Sequence, residues 1–305
     1  MIEYLEQLVE EKKYREALKE AERLLRITKD PHEIVWIHVA RVMSHCSLGE
    51  EKYSLAGGDA AIQMAERLGE WDAYGLLTLY VGVAYARLGQ QVETARRMYD
   101  FLGKRHLYRN ALKYEYNAWY NLGIANFVEG ESQLGTQALI NALKAAEGHG
   151  EHRHAHGVRQ SLIKASLEAG LLEPIPRLLA ECATYLRRNP DMPGYFRSWA
   201  YHVKMRGEHA LATGRPVRAR MLLAKALSGV KGQPALEFLF HALLSRIADH
   251  LDNAEWALGH ALAARTCAVL SHRSDLESEA ALLVDELTLR RIPVPRDLDV
   301  WYMNV

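Results

Sequence analysis

The feature of this sequence that most limits its possible folds is a recurring turn followed by a helix with alanine near its start. Clear examples are residues 12–18, 88–95 and 213–219, and each follows a segment whose apolar residues have helical spacing. The step between units is about 40 residues. Such self-similarity predicts a repeat protein built from pairs of helices. The units begin near residues 2, 33, 74, 115, 155, 195 and 234, and a final helix begins near residue 275.

Helix start and stop signals fall between these units. Asp30 is suited to cap a helix whose first residue is Pro31, because a carboxylate accepts backbone N–H groups there and proline lacks one. The proline-containing segments 189–193 and 232–234 separate later units. Residues 292–295 carry two prolines and are expected to end the last helix. These signals support the unit boundaries.

The composition favours an all-α protein. Hydrophobic residues make up 49% of the 305 residues and charged residues 25%, which is ordinary for a globular chain of one or two domains. No convincing alternation of β-branched residues between turn signals is found. The three cysteines, Cys46, Cys182 and Cys267, are far apart and odd in number. We therefore expect small buried thiols rather than a disulfide framework or a CxxC metal site.

The residue pattern of the clearest unit resembles the tetratricopeptide repeat (TPR) family. Trp119 is followed by Leu122 and Gly123 at the spacing of that family, with Asn126 where the family places tyrosine. The resemblance implies a right-handed α-solenoid of about seven helix–turn–helix repeats plus a C-terminal capping helix. Small residues at such positions let two helices approach closely.

The resemblance also implies a division of the chain. Residues 1–291 are expected to form the TPR-like α-solenoid, with residues 274–291 as its capping helix, and residues 292–305 a C-terminal tail. Trp301 and Tyr302 in this tail are costly to leave in water. We expect the tail to pack on the last helix, or to dock into a groove of this chain or of a partner.

In this family the first helix of each pair lines the concave side, so the resemblance implies a groove lined by first helices. Its N-terminal half is apolar and aromatic and its C-terminal half mixed and charged, which suits a peptide with an apolar and a charged segment. Alternatively, the apolar residues simply pack against a neighbouring repeat. Asparagine amides in the groove can hold a peptide backbone, because an amide both donates and accepts. The candidate contact residues are Trp36, Leu79, Asn117, Tyr120, Asn121, Phe127, Lys164, Tyr201 and Lys204, with Phe238, His241 and Ser245 in the seventh unit.

These features predict a non-enzymatic interaction protein that binds a peptide or a partner protein, as a sensor or an adaptor. The repeats resemble the ligand-sensing domains of bacterial peptide-responsive regulators. Such regulators usually carry an N-terminal effector module, and here the repeats begin almost at Met1, so we expect action through another protein. Two alternatives stay open. One is an enzyme or metal-binding protein that uses the histidine cluster of residues 149–156, and the other is a pure assembly scaffold.

Charge and motifs exclude several other classes. Lys plus Arg and Asp plus Glu both total 38, so direct nucleic-acid binding is not expected. No GxxxxGK[ST], GxGxxG or GxSxG motif is present, and we expect no cofactor and no metal. The N-terminus has no signal-peptide pattern, and no apolar run is long enough to span a membrane. A cytoplasmic protein with a protein or peptide partner is the prediction.

Overall fold

The computed structural model describes residues 2–288, and this part of the chain consists of α-helices joined by turns and three short 3₁₀ segments. No strand occurs in it. Up to the middle of the chain the helices are α1 Ile2–Glu10, α2 Tyr14–Ile27, α3 Pro31–Ser47, α4 Glu51–Leu55, α5 Gly58–Leu68, α6 Trp71–Arg87, α7 Gln91–Gly103, α8 Glu115–Val128 and α9 Ser132–Gly148. The remaining helices are α10 His152–Glu168, α11 Ile175–Arg188, α12 Tyr195–Ala212, α13 Pro216–Leu227, α14 Pro234–His250, α15 Ala254–Leu270 and α16 Ser274–Thr288.

These helices form the expected pairs, so the predicted all-α repeat fold is confirmed. The first helices are α1, α3, α6, α8, α10, α12 and α14, and each starts within a few residues of its predicted unit boundary. The second helices are α2, the broken helix α4 and α5, then α7, α9, α11, α13 and α15. Helix α16 follows the seventh pair, as expected for a capping helix. None of the described helices is long and apolar enough to cross a lipid bilayer.

A left-handed residue lies in the turn inside each described pair. Glycine takes this conformation without a steric penalty, as at Gly130, where φ is 86°. The first and seventh turns use Lys12 and Asp252 instead, with φ of 59° and 60°. The other turns use Gly49, Gly89, Gly170 and Gly214. This position recurs about once per 40 residues and marks the repeat more regularly than the alanine pattern does.

The predicted start of α3 is confirmed in its chemistry. The Asp30 carboxylate accepts a hydrogen bond of 2.9 Å from the His32 N–H, and Pro31 occupies the first helical position. Pro216 and Pro234 begin α13 and α14 in the same way. Proline is favourable there because the first backbone N–H groups of a helix have no partner inside it.

Glycine allows the two helices of the fourth pair to touch through their backbones. A Cβ atom added at Gly123 on α8 would lie 3.1 Å from the carbonyl oxygen of Gly135 on α9, and 2.9 Å from the Leu139 side chain. A Cβ at Gly135 would lie 3.0 Å from the Gly123 carbonyl oxygen. The TPR-like Leu122–Gly123 pair therefore has the predicted packing role.

By its contacts the chain divides into two compact units, with the boundary between Val158 and Arg159 inside α10. In unit 1, up to Val158, the main core lies under α3, α5, α6, α7 and α8 and is centred on Leu77, Met98 and Phe101. In unit 2, a large core cluster joins α12, α13 and α14 around Leu223 and Phe240. A single domain of residues 1–291 stays a prediction, and the predicted tail lies outside the described residues.

Candidate functional site

The candidate site in unit 1 consists of half-buried side chains on three consecutive first helices, α3, α6 and α8. Helix α6 packs against both α3 and α8. We call this set the α3–α6–α8 surface, and it comprises Trp36, Met43, Tyr80, Val83, Tyr114, Asn117, Tyr120, Asn121 and Ile124. Tyr114 lies in the 3₁₀ turn that leads into α8. The surface combines large aromatic rings with amide groups, a composition suited to holding an extended ligand.

On α3, Trp36 is held by a hydrogen bond to the next first helix. Its indole Nε1–H donates to Glu70 Oε2 at 3.3 Å, just before α6 begins. The other carboxylate oxygen of Glu70 is 2.7 Å from His32 Nδ1. Trp36 and Met43 both pack on the core of unit 1 while keeping part of their surface exposed. The prediction that Trp36 lies at this surface is consistent with its half-buried position.

On α6 the structure corrects one predicted residue. Leu79 is only 1% exposed and belongs to the core, so it cannot line a groove. The accessible stripe of α6 is shifted by one residue from Leu79 and passes through Tyr80, Val83 and Arg87. Helix α6 packs against α3, α4, α5, α7 and α8. Because most of its circumference is in contact with other helices, it carries apolar residues on nearly every side. Helical periodicity alone therefore could not identify its accessible side.

Tyr80 is the residue that the sequence reasoning missed on α6. Burial raises the pKa of its phenol well above the ordinary value, and nearby Tyr114, Cys46 and Tyr116 act in the same direction. Tyr80 is half-buried on α6, the helix that packs against both α3 and α8. Two turns beyond Tyr80, the Arg87 guanidinium donates to the Cys46 carbonyl oxygen and lies 3.5 Å from Glu51. The spacing of Tyr80, Val83 and Arg87 by three and four residues places them on one face of α6, and this pattern could have identified Tyr80 from the sequence.

On α8, Asn117, Tyr120 and Asn121 are half-buried, as expected for residues at a surface. The Asn121 Nδ2–H donates to the Asn117 carbonyl oxygen at 2.8 Å, which fixes the orientation of its amide. A side-chain hydrogen bond joins Asn117 to Tyr116, and burial raises the pKa of Tyr116 to about 12. Asn121 Oδ1 is thus an oriented acceptor suited to a peptide N–H.

Phe127 has a different role from the predicted one. Its ring lies over Gly135 on α9, where an added Cβ would be only 2.6 Å from Phe127 Cδ2. The side chain therefore fills the space between the two helices of its own pair. Contact with Gly135 therefore turns the Phe127 ring toward α9, although Phe127 lies only one turn beyond Ile124 on α8.

In unit 2, Lys164, Tyr201 and Lys204 lie on the first helices α10 and α12. Lys164 is exposed, with its Nζ 3.8 Å from Glu168. Lys204 is half-buried and its Nζ lies 2.5 Å from Glu208. The Arg197 guanidinium is 5.8 Å from the centre of the half-buried Tyr201 ring. Both lysines are thus paired with acids one turn along their own helices.

The seventh pair does not present the predicted residues. Phe238, His241 and Ser245 are buried, and the Ser245 hydroxyl donates to the Ala257 carbonyl oxygen at 2.8 Å. This side of α14 faces α15, its own partner in the pair. Burial lowers the pKa of His241 to about 4.

The histidines of residues 149–156 differ in their exposure and in their contacts. His152 and His154 are exposed, whereas His156 is 3% exposed. His154 is 3.1 Å from Glu151 and its ring centre is 4.6 Å from that of Tyr116. No three metal-ligating side chains converge here within residues 2–288. As predicted, Cys46, Cys182 and Cys267 are all buried and form no disulfide.

Comparison with solved structures identifies the fold. The chain is similar to the apo form of the quorum sensor NprR from B. thuringiensis, with a TM-score of 0.71 and 11% identity over 99% of this chain and 84% of that one. NprR in complex with its cognate peptide NprX matches with a TM-score of 0.65. The apo form of RapI gives 0.61 at 12% identity, covering 93% of this chain and 97% of that one.

A tetratricopeptide repeat protein from Parabacteroides merdae gives a TM-score of 0.60 at 12% identity, over 93% of this chain and 96% of that one. No family model matches the sequence, and no curated protein sequence matches it either. The chain therefore has a TPR-like α-solenoid fold that resembles the fold of peptide-responsive regulators.

Proposed function

We propose that this chain is a non-enzymatic interaction protein that binds a peptide segment of its partner on the α3–α6–α8 surface. The observation that carries the proposal is the group of half-buried aromatic and amide side chains on three consecutive first helices. Tyrosine and tryptophan bury a large area at a low cost in conformational entropy, which makes them effective binding residues. The amides supply orientation, because each can pair with a peptide backbone.

The fold comparison supports a peptide as the ligand. NprR, whose fold this chain shares, was solved with its cognate peptide bound. Identity between the two chains is 11%, so the likeness concerns the scaffold and does not identify the ligand of this chain. Preformed helical scaffolds bind peptides in grooves through a few anchor side chains. A sensor or adaptor role, in the cytoplasm, is consistent with such a scaffold.

Selection of peptides on the immobilised full-length protein tests the proposal directly. We expect a random peptide library to yield a consensus with one or two apolar anchors, and synthetic versions to bind with 1:1 stoichiometry in calorimetry. The double variant Tyr120→Ala, Asn121→Ala should weaken binding at least about tenfold, which corresponds to roughly 1.4 kcal/mol. Both residues are half-buried on α8, so the fold should tolerate the change.

A matched control comes from the second helices. Tyr99 on α7 is 53% exposed and lies outside the α3–α6–α8 surface, so Tyr99→Ala should leave peptide affinity unchanged. Equal loss of affinity in both variants would argue for a general effect on folding. Absence of any enriched peptide, or enrichment that is insensitive to the α8 variant, would overturn the proposed surface.

The lysines of unit 2 are proposed as a second, charged contact for the same partner. Lys164 and Lys204 lie beside Glu168 and Glu208, and an acidic ligand segment would have to compete with these internal acids. Charge reversal, Lys164→Glu with Lys204→Glu, should then weaken binding of the selected partner and reduce its dependence on salt. An unchanged salt dependence would remove these two lysines from the site.

A further inference from the structure

Three side chains with metal-ligating atoms converge between the two helices of the seventh pair. Glu237 and His241 lie one turn apart on α14, and Cys267 lies opposite them on α15. One ligand atom from each residue lies within 4.8 Å of the other two. All three residues belong to unit 2. Within residues 2–288, they are the one set of three metal-ligating side chains that lie this close together.

Glu237 is oriented by the backbone that precedes its helix. Its Oε1 accepts a hydrogen bond of 2.6 Å from the Gly232 N–H. The second oxygen, Oε2, then lies 4.0 Å from Cys267 Sγ. One carboxylate oxygen is thus used for positioning while the other faces the thiol. Metal-ligating carboxylates are held by outer hydrogen bonds in the same manner.

His241 is oriented by a second buried imidazole. Its Nδ1 lies 2.8 Å from Nδ1 of His260, and the two ring centres are 5.1 Å apart. One of these nitrogens must donate and the other accept. When His241 donates, its Nε2 carries a lone pair and can bind a metal. The Nε2 atom of His260 is buried without a hydrogen-bond partner among the described residues, so no other contact there fixes its tautomer.

The ligand types select the class of ion. A thiolate, an imidazole and a carboxylate together suit Zn²⁺ and related divalent transition ions, whereas Ca²⁺ and Mg²⁺ prefer oxygen ligands only. Cys267 and His241 are buried, and Glu237 is half-buried, so the carboxylate lies on the solvent side of the group. A fourth position there can be taken by water, as in zinc sites with three protein ligands.

We propose that Glu237, His241 and Cys267 bind one divalent transition ion, with Zn²⁺ as the best match. Binding replaces the S–H bond of Cys267 with a metal–sulfur bond and releases the thiol proton to solvent, so ion affinity falls as the pH falls. The ion would join α14 to α15 beside the core cluster that contains Phe238 and Leu276 and contacts α16. This site is separate from the α3–α6–α8 surface.

Metal titration of the full-length protein tests the proposal. After removal of metal by a chelator and dialysis, we expect one equivalent of Zn²⁺ to bind and to raise the melting temperature, because the ion binds the folded state. One equivalent of Co²⁺ should give a thiolate-to-cobalt charge-transfer absorption. Cys267→Ser should abolish that absorption, and Glu237→Gln should weaken Zn²⁺ binding at least tenfold.

Matched controls separate this site from other effects. Cys46 and Cys182 are, like Cys267, buried cysteines outside any disulfide, so Cys46→Ser and Cys182→Ser should retain full Co²⁺ absorption and Zn²⁺ affinity. If circular dichroism shows that Cys267→Ser does not fold, the test relies on the loss of Zn²⁺ affinity in Glu237→Gln, because Glu237 is only half-buried. Two results would overturn the proposal: no stoichiometric Zn²⁺ binding, or binding that survives Cys267→Ser and is lost in His152→Ala at the exposed histidine cluster.

Discussion

At the residue scale, the ring of Tyr108 contributes to the core, whereas its hydroxyl contributes no hydrogen bond there. The ring packs against Phe101 with the centres 4.9 Å apart, while the buried oxygen has no hydrogen-bond partner among the described residues. Tyr108→Phe keeps the ring and removes an unsatisfied polar atom. We expect the free energy of unfolding to rise by roughly 1 kcal/mol, measured by urea denaturation.

Tyr74→Phe is the matched control for this prediction. The Tyr74 hydroxyl donates to Asp100 and accepts from Lys104 Nζ at 2.5 Å, so its removal breaks satisfied contacts. We expect that variant to lose stability. Destabilisation by Tyr108→Phe equal to that of Tyr74→Phe would mean that the Tyr108 hydroxyl is bonded in solution.

Buried tyrosines also predict a loss of stability in alkali. Burial raises the pKa of Tyr108 and Tyr116, and partial burial raises that of Tyr80, above the ordinary value of 10.0, with Tyr116 at about 12. A raised folded-state pKa means that the stabilisation is complete below pH 10 and is lost as the pH rises through the folded values. Urea denaturation between about pH 9 and pH 12 should therefore show stability falling above pH 10.

A tyrosine absorbance titration supplies the check on this prediction. The buried phenols of Tyr108 and Tyr116 should ionise only with unfolding. Native ionisation of all tyrosines near pH 10 would contradict the prediction.

At the scale of single elements, the left-handed turn residue limits what each pair tolerates. Gly130 has a φ of 86°, a conformation that alanine adopts only with strain. Gly130→Ala should therefore lower the free energy of unfolding by about 1 kcal/mol. Gly148 ends α9 without a positive φ, and a Cβ there meets nothing within 4 Å. Gly148→Ala should leave stability equal or higher, and equal effects of the two changes in thermal denaturation would refute this account.

The positions of the helices could be predicted from the sequence, but the accessible face of a helix could not always be. Asp30 with Pro31 and the proline at residue 234 mark helix starts through local chemistry, and the structure begins α3 and α14 there. Leu79 was placed on the accessible side of α6 and lies in the core instead. Helix α6 has neighbours around most of its circumference, so its apolar residues do not form one stripe.

At the scale of the whole molecule, repeat proteins distribute stability locally, because each pair contacts mainly its neighbours. Gly123→Ala places a methyl group against the α9 backbone and should cost roughly 1–3 kcal/mol locally. Hydrogen exchange should show reduced protection in α8, α9 and the adjoining pair, with smaller changes in α14 and α15. Gly157 on α10 has no atom within 4 Å of an added Cβ, so Gly157→Ala is the control. Uniform loss of protection throughout the chain would indicate one cooperative unit.

The repeat itself follows from the sequence alone. Helix pairs, their turns and the final helix depend on local propensities, caps and a period of about 40 residues, all of which can be counted along the chain. The prediction of binding through first helices came from the family resemblance, and Trp36, Tyr120 and Asn121 lie where a ligand could reach them. That they bind a ligand stays a prediction, tested by the peptide selection.

Only the tertiary structure decided which side of each helix is available and which distant residues meet. Tyr80 replaces Leu79, and Phe127 packs over Gly135, because the helix rotations depend on neighbours that a local pattern does not contain. Glu237 and Cys267 are 30 residues apart in sequence, yet the pairing of α14 with α15 brings Glu237 Oε2 to 4.0 Å from Cys267 Sγ. Periodicity records the spacing of side chains along one helix, whereas such contacts depend on how two helices pack together.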